Sequence, residues 1–145
     1  MVVRRIRKDD CSQTFRTGEA KFDIGPDGKP LELSFYLERE TADEPFLSYV
    51  YEVEGEIIGV LCIRIVKPFL YLSRIGIKEK YRTKGNGYQL HKFMMDLVEQ
   101  EKIKVIYAKA HQGVFRWFYS LGYIKLHEYD DELWGRAADM VLFIG

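Results

Sequence analysis

The chain changes the period of its apolar residues several times, and each change predicts an element. Residues 46–53, FLSYVYEV, and 56–67, EIIGVLCIRIVK, are β-branched and aromatic runs that suit strands. Glu54-Gly55 between them puts a glycine where a tight hairpin needs a positive φ. FLYLSRIGI, 69–77, predicts a further strand. The period then shifts: Leu90, Phe93, Met94, Leu97 and Val98 stand at i, i+3, i+4, i+7 and i+8. That is one buried helical stripe, with His91, Lys92, Asp96 and Glu99 facing elsewhere. KVIYAKA, 104–110, is a continuous apolar run suited to a buried strand, so the stretch reads strand, glycine-rich turn, helix, strand: a βαβ unit. VFRWFYSL, 114–121, predicts a short helix stopped at Gly122. YIKLHEY and ADMVLFI predict a terminal strand pair around the polar DDELWGR.

Toward the N-terminus, Val2 to Ile6 predicts a short strand ended by RKDD. AKFDI and LELSFYL alternate around the turn-rich GPDGKP, which suits a hairpin, yet Leu31, Phe35 and Leu33, Leu37 are i,i+4 pairs that favour a helix over 31–39. ETADEP reads as a loop. No repeat or low-complexity segment interrupts the pattern. The expectation is one α+β domain over 1–145, with a mixed, mostly antiparallel central sheet flanked by helices.

Composition narrows the function classes. With 145 residues, 47% hydrophobic and 30% charged, the chain is long and apolar enough for a real core, which excludes wholesale disorder. Lys plus Arg and Asp plus Glu both count 22, so no net field draws it to nucleic acid or anionic lipid. Cys11 and Cys62 make neither a disulfide framework nor a zinc spacing, and both are read as reduced and packed. MVVRRIRKDD lacks an apolar segment behind its cations, and no run is long enough to span a bilayer. The expectation is a cytoplasmic protein without a metal.

The candidate chemistry lies in KYRTKGNGYQL, 80–90. Glycines weaken a helix, and cations at a helix start oppose its dipole. An anionic ligand reverses both penalties, because successive backbone amides from about Lys84 to Tyr88 then converge on phosphate oxygens. A P-loop signature is absent. A dinucleotide-binding turn needs a third glycine where Leu90 stands and an acidic residue after the next strand, where the chain has AKAHQ. The pattern that does fit is R-x-x-G-x-G, in Arg82-Thr83-Lys84-Gly85-Asn86-Gly87, directly behind Ile75-Gly76-Ile77.

This resembles the signature by which the GNAT family of acyl-CoA N-acyltransferases binds the pyrophosphate of acetyl-CoA. FRWFYSLGYIKL resembles the family's helix before its sixth strand, with Phe118, Tyr119, Gly122 and Tyr123 on the pattern. The resemblance covers roughly residues 46–144. It implies an N-acetyltransferase that moves the acetyl group of acetyl-CoA to a primary amine, by direct attack with both substrates bound. It further implies that the cofactor contacts are Ile75, Gly76, Ile77, Arg82, Thr83, Lys84, Gly85, Asn86, Gly87 and Tyr88, with Gln112 on pantetheine. Tyr119 is the implied general acid for the departing thiolate. Phe115 and Gln112 depart from the family, which often has a small residue and an asparagine there.

A general base is not visible. Ser73 and Arg74 stand where many relatives carry a glutamate, so a water chain is the default, and His111 at the end of the next strand is the alternative. Asp130, Asp131 and Glu132 in YDDELW are placed to attract a cationic amine, a small molecule or a protein lysine. A homodimer is open. Two other readings remain: an acyl-CoA-binding regulatory domain without catalysis, and a plain structural turn in a protein that binds another protein.

Overall fold

The structure is a computed structural model that describes residues 2–15, 31–41, 45–132 and 134–145. The AKFDI half of the alternative hairpin lies outside the described residues. From Leu33 the chain is helical, as the i,i+4 pairs predict.

Among the described residues, seven strands form one sheet: β1 (Val2–Arg5), β2 (Leu47–Val53), β3 (Glu56–Val66), β4 (Phe69–Ile77), β5 (Val105–His111), β6 (Ile124–Asp131) and β7 (Gly135–Phe143). Their order is β1-β2-β3-β4-β5-β7-β6, and of these neighbours only β4 and β5 run parallel. Among the described residues, three α-helices flank it: α1 (Leu33–Arg39), α2 (Asn86–Gln100) and α3 (Phe115–Ser120). The fold is therefore α+β, with a mixed and mostly antiparallel sheet.

Hydrophobic burial explains the layers. Leu90, Met94 and Val98 of α2 and Phe118 of α3 pack on one sheet face with Leu70, Leu72, Ile106 and Met140. Leu33 and Tyr36 of α1 pack on the other face with Val50, Val60 and Cys62. β3 sends residues into both clusters, so it reads as a continuous apolar run rather than an alternating one. Glu54 and Gly55, with φ of 50° and 81°, close the β2–β3 hairpin where the glycine predicted it. At the end of β5 the chain turns into α3, and β7 then inserts between β5 and β6. The last two strands extend into DDELWGR, which the sequence assigns to a loop, and turn at Gly135 with φ 73°.

RKDD is more than a polar strand end. The Arg4 guanidinium makes a two-pronged pair with the Asp10 carboxylate at 2.8 and 2.9 Å and reaches Glu52 at 2.6 Å. The Arg4 hydrogen bond holds the buried Asp10 carboxyl below the usual carboxylate range, and Arg7 N–H adds a bond of 2.7 Å.

His91 departs from the helical-stripe expectation. It is only 4% exposed, and its Nε2 lies 2.9 Å from the Tyr123 hydroxyl. The stripe is wider than the aliphatic residues show, because α3 and Tyr123 cover the flank of α2 as well.

β3 meets β4 closely at Gly59. A Cβ there would stand 2.7 Å from Ile77 Cδ1 and 3.2 Å from the Gly76 carbonyl oxygen. Gly59→Ala is expected to cost about 1–3 kcal/mol by overpacking, read as a lower denaturation midpoint with an unchanged slope.

Candidate functional site

The site begins where two parallel strands part. β4 and β5 pair from Phe69↔Val105 to Leu72↔Ala108, and among the described residues the pairing ends there. β4 nevertheless runs on to Ile77 and β5 to His111. The cause is visible in the register with β3. Cys62 pairs with Arg74 and Ile63 with Leu72, which leaves Ser73 as an extra residue. Such a bulge bends its strand and increases the local twist. β5 meanwhile stays with β7 through Lys109↔Asp139, Ala110↔Ala138 and His111↔Ala137. The two strands open like a V, and the inner edge of β4 from Ser73 to Ile77 faces a cavity of about 680 Å³ rather than a neighbouring strand.

At the β4 end of the cavity stands the glycine loop. Gly85 is the residue before α2 and adopts φ 79°, while Thr83 is held at φ 63°. A β-branched residue at positive φ is uncommon and strained. The surroundings fix this loop from several sides. Asn86 Nδ2 donates to the Tyr81 carbonyl at 2.9 Å, and the Tyr51 hydroxyl donates to Asn86 Oδ1 at 3.4 Å. Arg82 Nε donates to the Ile77 carbonyl at 3.2 Å, tying the loop to the end of β4. Tyr81 donates to Glu56 at 2.8 Å, beside Lys78 at 3.2 Å. The first intrahelical bond runs from Gln89 N–H to the Gly85 carbonyl at 3.0 Å. The amides of Asn86, Gly87 and Tyr88 therefore have no acceptor within the helix. They are first-turn donors at the positive end of a 15-residue helix dipole.

Trp117 lies against this turn. A Cβ on Gly87 would stand 3.5 Å from its ring, an ordinary contact. The fold itself leaves room for a side chain at residue 87. A ligand that approaches the backbone is what would require glycine there.

The structure brings most of the sequence-derived residues together. Ile75, Gly76, Ile77, Arg82, Thr83, Gly85, Gly87 and Tyr88 all line the cavity. Lys84 is exposed and outside the lining, and Asn86 turns its side chain back to the loop. Gln112 is exposed and not part of the wall, which is made on that side by His111, Gly113 and Val114. Tyr119 is 44% exposed, stands at a tilt to Phe115 with 6.5 Å between ring centroids, and does not line the cavity. Phe118, one residue earlier, does.

Sequence reasoning missed the aromatic walls. Trp117, Trp134 and Tyr36 line the cavity, Tyr36 from α1 on the far sheet face. His111, kept as an alternative base, lines it too, with its ring edge to Trp134 at 6.2 Å. The acidic run does not form an open anionic mouth. Asp131 pairs with Lys109 and accepts from Trp134 N–H at 2.9 Å, while Asp130 pairs with Arg136 at 3.3 Å. Among the described residues no group of side chains is suited to a metal ion. Among them, no helix is long and apolar enough to cross a membrane.

The parted parallel strands and the glycine-capped helix start define an α+β protein built around a cleft that ends on a helix N-terminus. The chain belongs to the acetyltransferase (GNAT) family, whose family model matches residues 10–135. No curated protein sequence matches it significantly. Solved structures share the fold. Ard1 from Thermoplasma volcanium is 13% identical with a TM-score of 0.76, covering 99% of this chain and 97% of that one. Ribosomal-protein-alanine N-acetyltransferase from Brucella melitensis is 16% identical with a TM-score of 0.73, over 99% and 100%. The PaiA N-acetyltransferase from Thermoplasma acidophilum, solved with coenzyme A, is 17% identical with a TM-score of 0.62, over 77% and 69%.

Proposed function

We propose that the protein, with residues 1–145 acting as one catalytic domain, transfers the acetyl group of acetyl-CoA to a primary amine by direct attack. The observation that carries this reading is the opening of β4 from β5 into a cavity that ends on the glycine loop and the start of α2. The pyrophosphate belongs on the amides from Lys84 to Tyr88, where three or four charge-assisted bonds of about 1.5–3 kcal/mol each are on offer. Pantetheine then runs along β4 as a strand would, using the backbone groups of Ile75 to Ile77. An amide there polarises the thioester carbonyl, where negative charge builds as the amine attacks.

Holding amine and thioester in contact removes a bimolecular entropy cost, so positioning supplies much of the rate. The nitrogen lone pair forms the new C–N bond, and the C–S bond breaks to release the CoA thiolate. The amine's proton leaves through water, with His111, on the wall at the end of β5, as the alternative acceptor. The thiolate takes its proton from solvent, since a thiol with a pKa near 8.5 leaves without strong acid assistance.

Tyr119→Phe tests the last point. With its ring off the cavity, the substitution is expected to leave kcat within about twofold, whereas a positioned acid contributes about a hundredfold or more. A fall of that size would put the phenol in the reaction. The proposal as a whole is tested by thiol release from acetyl-CoA with a panel of primary amines, and by the mass gain of one acetyl group on the accepted amine. Release without amine, or with none of them, contradicts it; acetyl-CoA binding with no release would favour a binding domain without catalysis.

A further inference from the structure

A second cavity, of about 550 Å³, adjoins the first and shares Leu72, Ser73, Arg74, Lys109 and Trp134 with it. It opens beside the parted strands next to α1, so a molecule in it meets the thioester position without crossing the glycine loop. If the protein is the transferase proposed above, this is the place for the acceptor.

The charge of this cavity is opposite to what the acidic run suggests. Its wall carries Arg39, Arg64, Arg74 and Lys109, the last paired with Asp131, against one lining carboxylate, Asp139. The Arg39 side chain is laid over aromatic rings, 3.9 Å from the Phe46 centroid and 5.6 Å from that of Phe35. Its Nε is buried and has no hydrogen-bond partner among the described residues. The rings hold the guanidinium in place, so its charge stays at the wall whether or not the cavity is occupied. Arg74 lies over Phe35 at 6.0 Å and over Trp134 at 5.6 Å, on the boundary between the two cavities. Tyr71 and Tyr107, stacked on each other at 5.6 Å with planes 19° apart, line the cavity and give it an aromatic side.

Cations of this kind repel a polyamine and attract a carboxylate, which arginine binds through a planar fork. The aromatic lining, with Phe35, Phe46 and Trp134 beside the tyrosines, takes an apolar aromatic group, and the volume suits a small molecule rather than a polymer. We propose that the amine acceptor is a small molecule that carries a carboxylate and an aromatic group beside its amine, as an aromatic amino acid does. Arg74 and Arg39 are the residues that select the carboxylate.

The test measures thiol release at saturating acetyl-CoA with L-phenylalanine and L-tryptophan, their decarboxylated amines, spermidine and a short peptide. The amino acids are expected to exceed their decarboxylated counterparts by about thirtyfold in kcat/KM. Arg74→Gln, and separately Arg39→Gln, are expected to collapse that preference to about threefold or less by raising KM for the amino acids far more than for the decarboxylated amines. Thermal unfolding with acetyl-CoA verifies that each variant folds. Preference for spermidine, the peptide or the decarboxylated amines overturns the anionic acceptor and leaves acetyl transfer standing, as does a preference that survives both substitutions. No release with any compound overturns the transferase reading itself, and this inference falls with it.

Discussion

Gly87→Asp is expected to lower the affinity for acetyl-CoA at least a hundredfold while leaving the unfolding temperature unchanged or slightly raised. The two effects have opposite signs because the same position serves the fold and the ligand differently. For the fold, residue 87 sits in the first turn of α2, where a Cβ meets only the Trp117 ring at 3.5 Å. A carboxylate at a helix start gains about 0.3–1 kcal/mol from the dipole, and replacing glycine within a helix gains roughly 0.5–1 kcal/mol. For the ligand, the carboxylate occupies the place of a phosphate oxygen and repels its neighbour. Loss of one or two charge-assisted bonds at about 1.5–3 kcal/mol each accounts for the hundredfold fall. Gly85→Ala is the contrasting control: its φ of 79° makes any side chain strained, at about 1–2 kcal/mol, although nothing lies within 4 Å of the added atom. Calorimetric titration with acetyl-CoA, paired with thermal unfolding, reads both quantities. Undiminished binding by Gly87→Asp would remove residue 87 from the anion site.

Acid is expected to destabilise the protein through His91. Burial pushes the imidazole down to about 4 from an ordinary 6.5. The folded state therefore keeps it neutral between those values, while the unfolded chain takes up a proton. Where the unfolded state binds more protons, stability falls as pH falls. The contribution is fully present above about pH 6.5 and is lost progressively down to about pH 4. With 1.36 kcal/mol for each pH unit of separation, the loss comes to roughly 3 kcal/mol. Asp10, whose carboxyl is held low by Arg4, also weakens the fold in acid, so the wild type alone does not isolate the histidine. His91→Gln does, since it offers Tyr123 a polar partner and does not titrate. Urea unfolding at pH 7, 5.5 and 4.5 should show a shallower decline for His91→Gln than for the wild type. Parallel declines would mean that His91 is protonated in the fold.

The elements were largely legible because their rules are local. Gly55 marked the hairpin, and FLYLSRIGI marked β4 from end to end. The glycine motif stood out because its residues disagree with ordinary helix-start chemistry, and that disagreement located one end of the cavity. The cavity itself was not legible. It depends on the extra residue at Ser73 and on β7 pairing with β5 beyond Ala108, and both are long-range facts of register. His91 was misread because its partner, Tyr123, is 32 residues away. On α3, Phe118 and Tyr119 differ by about 100° of helical rotation. A motif that spans both residues does not say which ring meets the ligand. Asp131 looked like an acceptor site only while Lys109, its ion-pair partner from β5, was out of view.

The most direct measurement is thermal unfolding with acetyl-CoA, CoA and NAD in turn. A ligand at about a hundred times its dissociation constant stabilises a fold by about 2.7 kcal/mol, which moves the midpoint by several degrees in a domain of this size. The account predicts a shift with acetyl-CoA and with CoA and none with NAD, because the loop lacks the third glycine and the acidic residue that a dinucleotide needs. No shift with either at millimolar concentration would contradict it and leave KYRTKGNGYQL a structural turn.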